Sequence, residues 1–172
     1  MAKSSEPFFI RAEVNLGHAA AFTQSDIDLG SFVNLGVAKS TILRIHTIET
    51  QVLGSDGLCP QLDSNTAGSI IWQLTTQSQG SLVRLSDKSV VASGAYACRN
   101  PAGASSAPTQ VWEFDVAPQD FEKGYLVGVD TLHLAGVADS DFEVDVYVSV
   151  MMECTLENAT QASSTALALS QQ

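Results

Sequence analysis

The sequence predicts an all-β sandwich or barrel of about eight or nine antiparallel strands, and three observations carry that reading. The first is a strict alternation from Asp141 to Leu156. Phe142, Val144, Val146, Val148, Val150, Met152, Cys154 and Leu156 fall on one face, and Asp141, Glu143, Asp145, Tyr147, Ser149, Met151, Glu153 and Thr155 on the other. A strand with one face buried and one wet requires that pattern, whereas a helix would mix the two sets. The second is a series of short runs rich in Val, Ile, Thr and aromatic residues, separated by Gly, Pro, Asn, Asp and Ser clusters. The third is that no window of helical length carries a 3.6-residue apolar period, which excludes βαβ architectures.

In chain order, the first strand has Ile10, Ala12, Val14 and Leu16 facing one way and Arg11, Glu13 and Asn15 the other. Strands are expected over 26–29, 31–37, 41–52, 69–76, 81–85, 111–116 and 125–134, ahead of the long strand from Asp141. A short helix is expected near Pro118, stopped by Gly124. Two long insertions, 54–68 and 92–108, read as loops that function or contact a partner. The tail from Glu157 to Gln172 is mostly Ala, Ser, Thr and Gln, and is expected to be a flexible arm or a weak helix ordered by a neighbour. The domain boundaries so expected are an N-terminal arm over 1–7, one β domain over 8–156 and a C-terminal tail over 157–172.

A chain of 172 residues buries roughly 70% of the surface its unfolded form exposes, so one domain needs no disulfide or metal to hold its core. The net charge of -11 disfavours direct binding to nucleic acid, which takes clustered Lys and Arg to displace counterions. The charge is unevenly spread. Residues 1–112 hold 8 acidic and 7 basic residues, while residues 113–172 hold 11 acidic residues and only Lys123. On the last predicted strand Asp141, Glu143, Asp145 and Glu153 share one face, which reads as a solvated surface, or as a face turned outward in an assembly or adapted to high salt. No apolar run reaches the ~20 residues that cross a bilayer, and Met1 to Pro7 lacks the apolar centre of a signal peptide, so the chain is expected to be made in the host cytoplasm without a signal peptide.

The sequence carries no catalytic motif, and no cofactor or metal site is expected. His18, His46 and His133 lie in different segments, whereas a cupin-type metal oxygenase needs a His-x-His pair with further converging ligands. The pairs Asp26/Asp28, Asp139/Asp141 and Glu143/Asp145 match no calcium-loop pattern and read as the wet face of strands. Ser69 and Ser93 have no nucleophile elbow around them. Trp72, Trp112, Tyr96, Tyr125 and Tyr147 are the raw material of a sugar-stacking platform, but Trp72 and Trp112 sit in alternations that look like core faces. Cys154 continues an inward alternation and reads as a small core residue. Cys59 and Cys98 lie in turn-rich segments, placed either to pair with each other, to pair across subunits, or to remain free thiols.

The stretch from Gly124 to Leu134, followed by the long strand, resembles the closing strands of the small single jelly-roll major capsid proteins of membrane-containing icosahedral viruses of haloarchaea and Thermus. The resemblance covers about residues 8–156 by pattern and rests on no diagnostic motif. It implies a single jelly-roll barrel that pairs with itself and with a second, larger capsid protein, forming a shell over an internal membrane, with the chain located in the virion. It implies no catalytic residues. The N-terminal segment to Arg11 has only Lys3 and Arg11 as cations, which suits a shell that does not condense nucleic acid itself. The other function the sequence allows is a carbohydrate-binding, lectin-like β-sandwich module.

Overall fold

A computed structural model describes residues 5–35, 37–103 and 109–171, with only the backbone described over 109–115. Among the described residues there are nine strands: β1 (Phe8–Gly17), β2 (Thr23–Asp28), β3 (Lys39–Gly54), β4 (Ala67–Thr75), β5 (Val90–Arg99), β6 (Thr109–Val116), β7 (Tyr125–Val127), β8 (Thr131–Ala138) and β9 (Val146–Thr160). One helix, α1 (Gln161–Ser170), follows.

The strands form a four-stranded sheet in the order β1-β9-β3-β7 and a five-stranded sheet in the order β2-β8-β4-β5-β6, and every pairing is antiparallel. The chain changes sheet at nearly every step, and the last strand lies between the first and the third. With β6 set aside as an addition to the outer side of β5, this is the strand order of a jelly roll. The protein is thus a single jelly roll of the class expected.

Alternation builds the core between the sheets. From β1, Ile10, Val14 and Leu16 point inward; from β9, Val146, Val148, Val150, Met152 and Cys154; from β4, Ile70, Trp72 and Leu74. The largest of these, Trp72, is fully buried. Its neighbours across the ladder are Gly94 on β5 and Gly136 on β8, so the indole stands in a row whose flanking positions carry no side chain. Gly136 has no room for one, since a Cβ there would lie 2.5 Å from the Ile71 carbonyl oxygen.

Several expectations are corrected. The final strand begins at Val146 and not at Asp141, because Phe142 makes an isolated bridge to Leu62 and residues 143–145 turn away; it also continues past Leu156 to Thr160. Asp141, Glu143 and Asp145 therefore belong to the β8–β9 loop. Of the strand expected over 31–37, the described residues 31–35 and 37 form none, and Gly36 lies outside the described residues. Phe32 and Val33 both donate backbone N–H to the Leu29 carbonyl in a turn, and Phe32 stacks on Phe8 with ring centroids 5.1 Å apart. Residues 81–85 are loop, held by the buried Gln73 amide, which donates to the Ser81 carbonyl at 3.3 Å and accepts from the Val83 N–H at 2.8 Å. The run 125–134 divides into β7 and β8, and β5 occupies residues 92–99 of the expected insertion 92–108, of which 104–108 lie outside the described residues. The helix near Pro118 is a 3₁₀ turn over Pro118–Asp120. The C-terminal residues, expected to need a neighbour for order, form a helix capped by the Thr160 hydroxyl, which accepts from the Ser163 N–H, and seated on this chain's own β3, β7 and β9.

Candidate assembly surfaces

Two glutamine side chains bond to the outer margin of β3 and β7, one at Ile48 and one at Leu126 and Gly128. Gln119, in the 3₁₀ turn, accepts from the Ile48 N–H and donates to the Ile48 carbonyl, both at 3.1 Å. Its amide thereby takes the place of a strand residue opposite Ile48. Gln171, just past α1, does the same for β7: its Oε1 accepts from the Gly128 N–H at 2.9 Å and its Nε2 donates to the Leu126 carbonyl at 2.6 Å. The Gln171 backbone carbonyl accepts in turn from the Thr76 hydroxyl at 2.7 Å and the Gln77 amide at 3.1 Å. Gln171 is 3% exposed, so the bonds are made out of water. An edge strand otherwise offers its free N–H and C=O groups to any other chain.

At one end of the sandwich four loops interlock. The Asn100 amide donates to the Leu62 and Asp63 carbonyls, the Asp63 N–H donates to the Asp141 carbonyl, and the Ser55 N–H donates to the Asp145 carbonyl. His18 Nδ1 lies 2.7 Å from Asp145 Oδ1, and the Asn15 amide donates to Asp145 Oδ2 at 3.1 Å. Those two contacts, Asn15 first, hold the Asp145 carboxyl below the usual range. Asp139 accepts from both the N–H and the hydroxyl of Ser69, at 2.7 and 3.0 Å. The acidic pairs 139/141 and 143/145 are thus loop fasteners and solvent-facing groups of this end.

The histidines stay apart. His46 sits in a bulge of β3, and its Nε2 lies 2.9 Å from the Thr155 hydroxyl on β9. His133 Nδ1 on β8 lies 2.6 Å from Asp26 on β2. Among the described residues, no group of three or more His, Cys, Asp and Glu is arranged to hold a metal ion. On the outer face of the β1-β9-β3 sheet a shallow trough of about 600 Å³ is lined by Arg11, Glu13, Glu49, Gln51, Ser149 and Met151. Of the aromatic residues proposed as a sugar platform, Trp72 is wholly buried, Tyr96 is buried, and Tyr125 and Tyr147 are half-buried. The Trp112 side chain lies outside the described residues.

No family model matches the chain, and no curated protein matches it. Solved structures do. VP1 of Trichodysplasia spinulosa-associated polyomavirus, in complex with GM1 oligosaccharide, is 7% identical, with 90% of this chain and 95% of that chain covered and a TM-score of 0.49. Merkel cell polyomavirus VP1 in complex with 3'-sialyllactosamine is 6% identical over 90% of this chain and 96% of that one, with a TM-score of 0.47. New Jersey polyomavirus VP1 is 7% identical over 90% and 99%, with a TM-score of 0.47. The jelly-roll assignment rests on the strand order itself.

All three cysteines are free. Cys59 is exposed in the β3–β4 loop. Cys98 is buried on β5, where burial pushes its thiol up to about 11, and Cys154 is buried on β9, where burial pushes its thiol up to about 12. The sequence reading missed Gln73, Gln119 and Gln171. For Gln73 a signal exists, a lone amide inside the apolar run from Ile70 to Leu74. Gln119 and Gln171 lie in polar segments where nothing local distinguishes them.

Proposed function

We propose that this chain is a structural coat subunit of an icosahedral virion, acting through its surfaces and not through a catalytic site. The observation that carries the reading is the jelly-roll strand order in a chain whose described residues gather no metal cluster. Jelly rolls serve as capsid subunits, lectins and cupins, and a cupin depends on convergent ligands. The burial of Trp72 and Tyr96 weighs against the carbohydrate-binding alternative, because stacking on a sugar takes an exposed ring. The interlocked end loops and the glutamine fastenings on β3 and β7 suit a rigid tile more than an adaptable binding cleft.

In this reading the subunit associates with copies of itself and with a second, larger capsid protein, and the shell stands over an internal membrane. The net charge of -11 fits a shell that leaves its genome untouched. Electron microscopy of the purified chain, alone and with the larger coat protein of its source, tests this directly. Ordered arrays or particles holding many copies are expected. A chain that stays dispersed under all these conditions, and binds glycans on an array, would establish the lectin-like reading instead.

A further inference from the structure

The two margins of the β1-β9-β3-β7 sheet are finished differently, and hydrogen-bond parity shows how. Both the N–H and the C=O of Ile48 go to Gln119, so the even-numbered residues of β3 near Ile48 turn away from β9 and the odd-numbered ones bond to it. Their β9 partners are Glu153, Met151, Ser149 and Tyr147. The even-numbered residues of β9 therefore bond to β1, through Ile10, Ala12 and Val14. It follows that Phe9, Arg11, Glu13 and Asn15 direct their N–H and C=O groups outward. Asn15 confirms the parity independently, since its carbonyl accepts from the Thr23 hydroxyl of β2 at 2.9 Å. Among the described residues, no hydrogen bond reaches the outward backbone groups of Phe9, Arg11 or Glu13.

The side chains on this open stretch are of opposite sign and already ordered. The Arg11 guanidinium lies over the Phe9 ring, 5.8 Å from its centroid, and Glu13 accepts from the Ser149 hydroxyl at 2.7 Å. Antiparallel pairing of β1 with another β1 must match outward residues with outward residues. One such register sets Arg11 opposite Arg11, and another sets Glu13 opposite Glu13. The register between them, centred on Ala12, sets Arg11 opposite Glu13 twice over, once on each side of the axis. Opposite charges directly across a ladder stabilise it and like charges destabilise it.

We propose that β1 is a self-association strand: two copies of this chain pair antiparallel through Arg11–Glu13 about a two-fold axis at Ala12, with Arg11 of each copy against Glu13 of the other. The pairing joins the two four-stranded sheets into one continuous sheet. It deepens the coat-subunit reading, and rests on it only in requiring a contact between copies.

Sedimentation equilibrium of the full chain at low salt tests the contact. The wild-type chain is expected to dimerise with increasing concentration. Arg11→Glu and Glu13→Arg alone should each weaken the dimer about tenfold or more, since each turns both cross-axis pairs repulsive. An equimolar mixture of these two variants, and the charge swap Arg11→Glu/Glu13→Arg within one chain, should each restore it. Arg11→Pro removes an outward N–H without touching the bonds to β9, so it should abolish the dimer and leave the fold intact by circular dichroism. A monomeric wild-type chain, single variants that dimerise as the wild type does, or a charge swap without rescue would each overturn the contact. Particles that still assemble from the Arg11→Pro chain would overturn it while sparing the coat reading. A β1 dimer that never forms particles would do the reverse.

Discussion

Gln171 lies just past α1, with both ends of its side-chain amide and its backbone carbonyl bonded inside the fold. Truncating it to alanine leaves the Leu126 carbonyl and the Gly128 N–H facing a dry gap. Unpaired buried groups cost about 1–3 kcal/mol, so Gln171→Ala should lose that much in urea unfolding, and Gln171→Glu should lose as much because a carboxylate cannot donate to Leu126. Stability equal to wild type in both variants would show that the amide is not the fastening. A second residue-scale prediction concerns acid. The Arg44 guanidinium holds Glu157 in a two-pronged contact, with Nη2 3.0 Å from Oε2, and through those hydrogen bonds and its charge keeps the Glu157 carboxyl below its ordinary value of 4.5. A carboxyl with a depressed folded pKa contributes stability above its unfolded pKa and loses it as pH falls through the folded one. Thermal unfolding between pH 6 and 3 should therefore show a steeper acid loss in the wild-type chain than in Glu157→Gln.

At the scale of elements, the strands that were legible are those whose alternation meets nothing stronger. β1 is one, and β9 from Val146 onward is another. The alternation over 141–145 also points Phe142 inward, but a bridge to Leu62 on the interlocked loops captures that stretch before β9 can extend into it. β5 was illegible because its residues, Ala92, Ser93, Gly94, Ala95 and Ala97 among them, have poor strand propensity. They form a strand because the large side chains of β4, above all Trp72, need small partners beside them. The turn into β7 depends on Gly124, whose φ of +64° suits glycine and where a Cβ would lie 2.3 Å from the Ile45 carbonyl oxygen. Gly124→Ala should cost about 2–4 kcal/mol, combining left-handed strain with a backbone clash, as read by denaturant unfolding. Glycine was expected there as a helix stop; its actual role is the close approach of β7's lead-in to β3. The open β1 margin, by contrast, required the whole ladder to be seen, since Arg11 and Glu13 in isolation read only as a wet face.

For the whole molecule, the concentration of acidity in residues 113–172 turns out not to mark one strand. Glu153 and Glu157 lie on β9, but Asp139, Asp141, Glu143 and Asp145 gather at the end of the sandwich where the loops interlock, close to Asp56 and Asp63 of the β3–β4 loop. A charged, rigid end and a neutral, paired-charge margin at β1 divide the surface into a part kept in solvent and a part suited to contact. The thiols report on the same division. Cys59 is exposed at the loop end, whereas Cys98 and Cys154 are buried with thiols pushed up to about 11 and about 12, so neither presents a thiolate near neutral pH. In the native chain a maleimide should label one of the three cysteines rapidly, and Cys59→Ser should abolish that labelling; all three should react in denaturant. If assembled copies are joined by a disulfide, the dimer on a non-reducing gel should vanish with Cys59→Ser and survive Cys98→Ser. Rapid labelling of Cys98 in the folded chain would mean that β5 opens to solvent, and would count against a rigid tile.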